Sequence, residues 1–216
     1  MSQRSLMYGV LLAIAASGAI LYKFYTKPSD SDLSTKSLFQ AYTQVTAQEI
    51  SRLLGGRGDV VVLMWGPPSD DASHPGGPPD VQAVCQALQR AGLKVVAKHP
   101  VPPVKTGYDI VWTAEDYRAV LEQYTRVAAL VSFVGTPRLS DSDIQGLPSA
   151  RPKLIVVRLA KPETTRPLLE QGVVDAAILP QVEPPFADRP PKTTREWFDK
   201  YYLFVTPATV AKLSGN

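Results

Sequence analysis

The chain is poor in the residues from which most catalytic sites and disulfide frameworks are built. Its 216 residues include one cysteine and two histidines, which excludes an intramolecular disulfide and leaves little for a Ser-His-Asp set. Cys85 follows Val84 and precedes Leu88 at helical spacing, which indicates a buried core thiol. No nucleophile-elbow, P-loop or dinucleotide-binding glycine pattern is present. We therefore predict no catalytic residue and no cofactor, and we lean against an enzyme.

An excess of one charge is also lacking. The 23 basic and 20 acidic residues leave a net charge of +3, and the basic ones are scattered. This balance gives no electrostatic reason to expect nucleic acid as a partner, despite a pI near 8.9. Asp70, Asp71 and His74 lie close together, but in a loop rich in glycine and proline and with no second cluster of ligands. We predict no metal site.

One long apolar run is present near the N-terminus. Residues 6–22 (LMYGVLLAIAASGAILY) carry no charge, and their number is at the lower limit for a spanning helix. Lys23 can extend the run by snorkelling. We predict a tail over 1–5 and a single-pass transmembrane anchor over 6–25 that contacts the lipid bilayer. The alternative is a signal peptide, since Ser17-Gly18-Ala19 is typical of a cleavage site.

The side of the membrane is set less clearly. Arg4 and the terminal amine precede the run, whereas Lys23 and Lys27 follow it. The positive-inside comparison is therefore close to a tie. We expect an anchor in the bacterial inner membrane with the rest of the chain in the periplasm, and the orientation stays open.

A polar segment then leads into the main domain. Residues 26–45 are expected to form a tether, residues 46–206 an α/β domain, and residues 207–216 a C-terminal tail. Thr46 and Glu49 fit a capping box, so we expect a helix to begin at Thr46. Gly55 and Gly56 would end it.

From there, short apolar runs alternate with amphipathic helices. We predict strands at 60–65, 93–97, 129–134, 154–159 and 173–179, helices at 79–92, 113–126 and 162–172, and a last helix and strand at 195–202 and 203–206. Runs that are apolar on both faces are typical of parallel strands covered by helices. The fold class is therefore α/β, a doubly wound (Rossmann/flavodoxin-like), mostly parallel sheet of about five strands, preceded by one transmembrane helix.

Two stretches resemble a known family. Residues 169–180 (LEQGVVDAAILP) resemble a helix-to-strand passage of bacterial periplasmic solute-binding proteins, and residues 91–96 (AGLKVV) are similar to their first helix–strand junction. The resemblance implies one lobe of such a protein, outside the cytoplasmic membrane. Those proteins close two lobes around a ligand, and this chain has residues for only one. Hinge closure around a ligand is thus not available to it.

Open parallel sheets bind ligands beyond the carboxyl ends of their strands, where the crossovers part. The candidate ligand-binding residues at that edge are Trp65, Gly66, Asp70, Asp71, Gly135, Thr136, Arg138, Arg158 and Lys161. Trp65 would stack on a ligand and Arg138 would pair with an anion. The alternative is that these residues only form tight turns, with Trp65 covering the edge of the core.

Several aromatic residues also lie close together in the predicted C-terminal helix. They are Trp197, Phe198, Tyr201 and Tyr202. We expect two of them to pack on the sheet and the others to face a partner or lipid headgroups.

The sequence thus favours a membrane-anchored, non-enzymatic interaction or accessory domain of an envelope assembly. The alternative is a single-lobe domain that binds or senses a small molecule, and a membrane-tethered hydrolase is a minor third reading. A protein partner, a homodimer and a small-molecule ligand all stay open as partners.

Overall fold

The computed structural model describes residues 30–66, 81–106, 109–158, 160–181 and 191–210. The anchor predicted over 6–25 lies outside these ranges, as do Asp70 and Asp71. Within them, no helix has both the length and the apolar character needed to cross a bilayer. Phe39–Asn216 form one compact unit, while residues up to Leu38 belong to another.

Strands and helices alternate along the described chain. The strands are β1 (Gly58–Trp65), β2 (Leu93–Val101), β3 (Val104–Thr106), β4 (Asp109–Thr113), β5 (Ala129–Ser132), β6 (Pro137–Arg138), β7 (Lys153–Val156), β8 (Ala176–Pro180) and β9 (Tyr202–Val205). The helices are α1 (Asp30–Leu53), α2 (Val81–Arg90), α3 (Ala114–Gln123), α4 (Asp141–Gln145), α5 (Pro162–Glu170) and α6 (Thr194–Tyr201). The predicted strands and helices at these places are confirmed to within a few residues.

The main sheet has six strands in the order β2-β1-β5-β7-β8-β9. The first five are parallel to their neighbours, and β9 is antiparallel to β8. The α/β class with a mostly parallel sheet is therefore confirmed. The antiparallel strand β9 follows directly on α6 and pairs with the outer side of β8.

Alternate side chains of each strand enter two separate apolar clusters, one on each face of the sheet. In β1, Val60 and Val62 point into the first cluster, while Val61 and Leu63 point into the second. The helices add fully buried side chains to both: Ile50, Leu88 and Phe198 to the first, Tyr117 and Leu169 to the second. Each such side chain stabilises the fold by about 1.5–3 kcal/mol, so the two faces are held by comparable cores.

Helix α1 differs from the prediction of a tether followed by a helix start at Thr46. The helix runs without a break from Asp30 to Leu53, so the predicted start is wrong. Thr46 is fully buried in mid-helix and caps nothing. Glu49, 5% exposed, pairs with Arg52 at 2.9 Å and with Arg195 of α6. The capping pattern therefore arose by coincidence from two buried positions inside one helix, where Glu49 pairs with arginines instead of capping a helix start.

Strand β2 is longer than predicted and forms one edge of the main sheet. Pairing with β1 continues through Pro100 to Val101; proline is tolerated there because an edge strand needs no donor on its outer side. The register shifts once, since Val95 and Ala97 face consecutive residues of β1. Val96 is thus the extra residue of a β-bulge.

A second, three-stranded sheet was not predicted. Its order is β3-β4-β6, with β3 antiparallel and β6 parallel to β4. Thr113 ends β4 and caps α3, and its hydroxyl accepts the N–H of Asp116 at 3.2 Å. The predicted cap at Thr113 is confirmed.

Candidate functional site

The strand order reverses between β1 and β5, and this switch point lies where the ligand crevice of an open sheet is expected. Trp65 ends β1, and Gly66 donates its backbone N–H to the carbonyl of Val101 at 3.3 Å. Phe133, which follows β5, donates its N–H to the carbonyl of Leu63 at 2.9 Å. These hydrogen bonds tie together the carboxyl ends of three adjacent strands.

The second sheet changes the chemistry of this switch point. Trp112 of β4 is fully buried and pairs with Pro137 of β6. Gly135 is buried as well, and its carbonyl accepts the hydroxyl of Ser132 at 2.7 Å. The loop after β5 is therefore committed to contacts within the protein, and Thr136 beside it is only partly exposed.

The residues predicted as ligand-binding do not all lie in one place. Arg138 is exposed in β6, where it faces Thr113 rather than ending a strand of the main sheet. Trp65 packs on the second apolar cluster. Lys161 is exposed and is the N-cap of α5. Of the candidates in the described ranges, Trp65, Gly66, Gly135, Thr136 and Arg158 follow or end adjacent parallel strands.

Arg158 follows β7, is partly buried and interacts electrostatically with Tyr42. The pKa of its guanidinium is lowered by burial, and interaction with Tyr42 opposes that change. Tyr42, 6% exposed, donates its hydroxyl to the carbonyl of Val157. Its ring meets that of Tyr202 edge-on, with centroids 4.8 Å apart. We call Arg158, Tyr42 and Tyr202 the arginine–tyrosine cluster.

The tyrosines of this cluster are held neutral. Burial raises the pKa of Tyr42, the neighbouring Tyr202 raises it further, and the positive charge of Arg158 partly opposes both. Burial also raises the pKa of Tyr202. Both hydroxyls thus stay protonated at neutral pH, and the Tyr42 hydroxyl interacts electrostatically with the guanidinium.

Arg158 has no carboxylate partner within ion-pair distance in the part of the chain that the structure describes. A cation removed from water without a counter-charge costs free energy. A planar guanidinium can recover that cost by binding an anion through paired hydrogen bonds. The guanidinium of Arg158 is therefore suited by its chemistry to bind an anion.

Sequence reasoning identified Arg158 as a candidate but missed Tyr42. Tyr42 lies in α1, in the stretch predicted to be a tether, and its hydrogen-bond partner Val157 is 115 positions away. The aromatic group at the C-terminus was a usable signal for Tyr202. As expected, part of that group packs on the sheet: Phe198 is fully buried, and Trp197 and Tyr202 contact the first cluster.

Comparison with known proteins finds similarity at the level of solved structures. No family model and no curated protein matches the chain. Solved structures do: an arabinose-binding protein from Geobacillus stearothermophilus (16% identity, 81% of this chain, 62% of that chain, TM-score 0.48) and a sugar-binding protein of a sugar ABC transporter from Bacillus halodurans (15%, 81%, 64%, 0.49). A third is a periplasmic solute-binding protein of an ABC transporter from Actinobacillus succinogenes with bound D-allose (11%, 82%, 61%, 0.48).

The chain has a weak, fold-level resemblance to periplasmic solute-binding proteins, the class that the sequence also resembles. It spans less than two thirds of the length of these structures, 61% to 64%. At identities of 11% to 16% the likeness concerns the fold alone. Any ligand must be argued from the residues of the chain itself.

Proposed function

We propose that this domain binds a small polar solute with an anionic group, and that Arg158 pairs with that group at the carboxyl edge of the sheet. The observation that carries the proposal is the partly buried guanidinium without a carboxylate partner among the described residues. The partly exposed ring of Tyr202, which packs edge-on against the buried Tyr42, would supply apolar surface for the body of the solute. Carboxylate- or phosphate-bearing metabolites of the size of a sugar fit this chemistry.

The experiment is a thermal-unfolding screen of the full chain in detergent. One arm contains neutral pentoses and hexoses, and the other contains sugar phosphates and sugar acids of the same sizes. A ligand that binds only the folded state stabilises it by about 2.7 kcal/mol at 100 times its Kd. We expect the anionic arm to raise Tm and the neutral arm to leave it unchanged.

Matched variants identify the site. Arg158→Gln removes the charge and should abolish the rise in Tm, whereas Arg126→Gln, an exposed arginine ahead of β5, should retain it. Arg138→Gln tests the sequence-based assignment in the same assay. A response to neutral sugars that survives Arg158→Gln would contradict the proposal.

A membrane-anchored accessory domain is the second candidate. The outer edge of β2, unpaired in the described chain, favours a protein partner, and the charge-free run within residues 6–25 supports attachment to the inner membrane with a periplasmic domain. Extraction of the full chain from membranes at alkaline pH tests the attachment. A C-terminal reporter active only in the periplasm tests the sidedness, and activity of a cytoplasmic reporter would reverse the assignment.

A further inference from the structure

We propose that the outer edge of β2 is a docking site for an extended, acidic segment of a partner protein, which adds to the main sheet as a further strand. The site is separate from the arginine–tyrosine cluster, and it does not depend on the solute-binding proposal. An edge strand presents unpaired backbone groups, and many recognition domains use them to bind a peptide by strand addition.

The direction of the backbone groups supports strand addition. Val101 turns its carbonyl towards β1, where it accepts the N–H of Gly66. Because successive residues of a strand alternate in direction, Lys98 turns its N–H and C=O to the open side. Pro100 shares that direction and lacks a donor. Lys98 is therefore the residue after the bulge that can both donate to and accept from an added strand.

A shallow groove runs beside this edge. It has a volume of about 280 Å³, and its lining includes Gln82 and Gln89 of α2 and Val95, Val96 and Lys98 of β2. Val96, the bulged residue, is 39% exposed. An apolar side chain of an added strand can cover Val96, while the exposed amide of Gln89 offers a polar contact at the rim of the groove.

The charge of the edge points to an acidic occupant. Residues 81–101 contain Arg90, Lys94 and Lys98 and neither aspartate nor glutamate. Asp59 of β1 lies opposite Lys94, but the residue opposite Lys98 is Val62. The ammonium of Lys98 donates to the neutral Oε1 of Gln82 at 2.6 Å instead. No carboxylate in the described chain neutralises it.

The same features disfavour a second copy of the chain. Pairing β2 with another β2 would bring two strands together that carry lysines and no acid, and like charges across strands are destabilising. An acidic strand meets no such repulsion, so the edge selects its partner by charge.

The test uses the full chain in detergent and a fluorescent ten-residue peptide of alternating valine and glutamate. One control peptide has glutamine in place of glutamate, and another carries N-methyl groups on alternate amides. We expect the glutamate peptide to raise fluorescence anisotropy on binding, and each control peptide to bind at least about tenfold more weakly, because charge and backbone pairing are both needed.

Protein variants locate the peptide on the chain. Lys98→Glu should weaken binding of the glutamate peptide at least about tenfold and favour a lysine-containing counterpart, since the charge pattern is reversed. Lys192→Glu changes the charge equally at an exposed position outside the edge and should have no effect. Hydrogen exchange of residues 93–101 should slow when the glutamate peptide is bound.

Several results would overturn the proposal. Equal binding of the N-methylated peptide would mean that no strand is added, and equal affinity of the Lys98→Glu variant would place the peptide elsewhere. A chain that sediments as a dimer through β2, and exchanges slowly there without peptide, would assign the edge to a second copy. Since none of these measurements involves Arg158, they leave the solute-binding proposal untouched.

Discussion

Two arginines flank β7, and they differ in what surrounds them. Arg151, two residues before the strand, contacts the carboxylate of Asp175 at 3.3 Å and the carbonyl of Gly172. Arg158, two residues after it, has no carboxylate in the described chain. Each interacts electrostatically with one buried tyrosine, Tyr117 and Tyr42 respectively. Among the described residues, the arginine before the strand is thus paired with a carboxylate and the arginine after it is not.

This difference separates stability from binding. Asp175 joins β7 to β8, because its carboxylate also accepts the backbone N–H of Leu154 at 2.9 Å and lies 3.4 Å from the ammonium of Lys153. Arg158 joins nothing by an ion pair in the described chain.

The largest effect on stability is expected for Asp175, the partner of Arg151. Asp175→Ala leaves Arg151 and the N–H of Leu154 without their acceptor, and because the groups are partly exposed we expect a loss of about 2 kcal/mol in the free energy of unfolding. Urea denaturation measures it. Glu170→Ala breaks an exposed pair with Arg166 and serves as the control, with a loss of about 0.5 kcal/mol or less. Equal losses in the two variants would remove the contrast.

The next effect is a dependence on alkaline pH. Burial raises the pKa of Tyr117 to about 12 and raises that of Tyr42 as well, whereas in the unfolded chain both are about 10. The unfolded state therefore loses these protons first, so the stability present below pH 10 is lost as the pH rises through the folded pKa values. Each tyrosine should contribute a slope of up to about 1.4 kcal/mol per pH unit.

Urea midpoints between pH 8 and 11.5 measure this slope. Tyr117→Phe and Tyr42→Phe should each remove the contribution of one proton, up to about 1.4 kcal/mol per pH unit, from this slope. A slope that neither variant changes would show that other groups dominate.

A smaller effect is expected for Tyr42→Phe at neutral pH. The variant keeps the ring in the first cluster and removes the hydroxyl that donates to Val157, so the loss should be about 1 kcal/mol. Tyr124→Phe, which removes a longer contact of 3.2 Å to His99, is the matched control and should lose less. A larger loss in the control would mean that the bond to Val157 contributes little.

The smallest effect is expected for Arg158→Ala without ligand. No ion pair among the described residues is broken, and the unfolding free energy should stay within about 0.5 kcal/mol of the unsubstituted protein. Arg151→Ala, measured beside it, should cost clearly more. If Arg158→Ala were the more destabilising of the two, Arg158 would be a structural residue and the proposed binding role would lose its basis.

The parts of the fold that could be predicted are those with a local pattern. The run at residues 60–65 is apolar on both faces, and Thr113 is followed by an acid at the right spacing, so both were found. Strands β3, β4 and β6 are short, and their pairing depends on neighbours far along the chain. The start of α1 was predicted wrongly because Glu49 looked like part of a capping box. In the structure its carboxylate pairs with Arg195, 146 positions away.

The candidate site follows the same division. The position of Arg158 after a strand was visible from the sequence. The tyrosines of its cluster could not be predicted, because Tyr42 and Tyr202 come from opposite ends of the compact unit. The position of Arg138 could not be predicted either, because it lies in β6, a strand of two residues that has no recognisable sequence pattern.

The hydrogen bonds of Val157 connect the arginine–tyrosine cluster to two neighbouring elements of the fold. Its N–H is held by Ser132 of β5 at 2.9 Å, and its carbonyl is held by Tyr42 of α1. Val157, the residue directly before Arg158, is thus hydrogen-bonded to both a strand and a helix. Arg158 is therefore connected to α1 through the hydroxyl of Tyr42. If a solute binds Arg158 as proposed, amide hydrogen exchange around Tyr42 should slow.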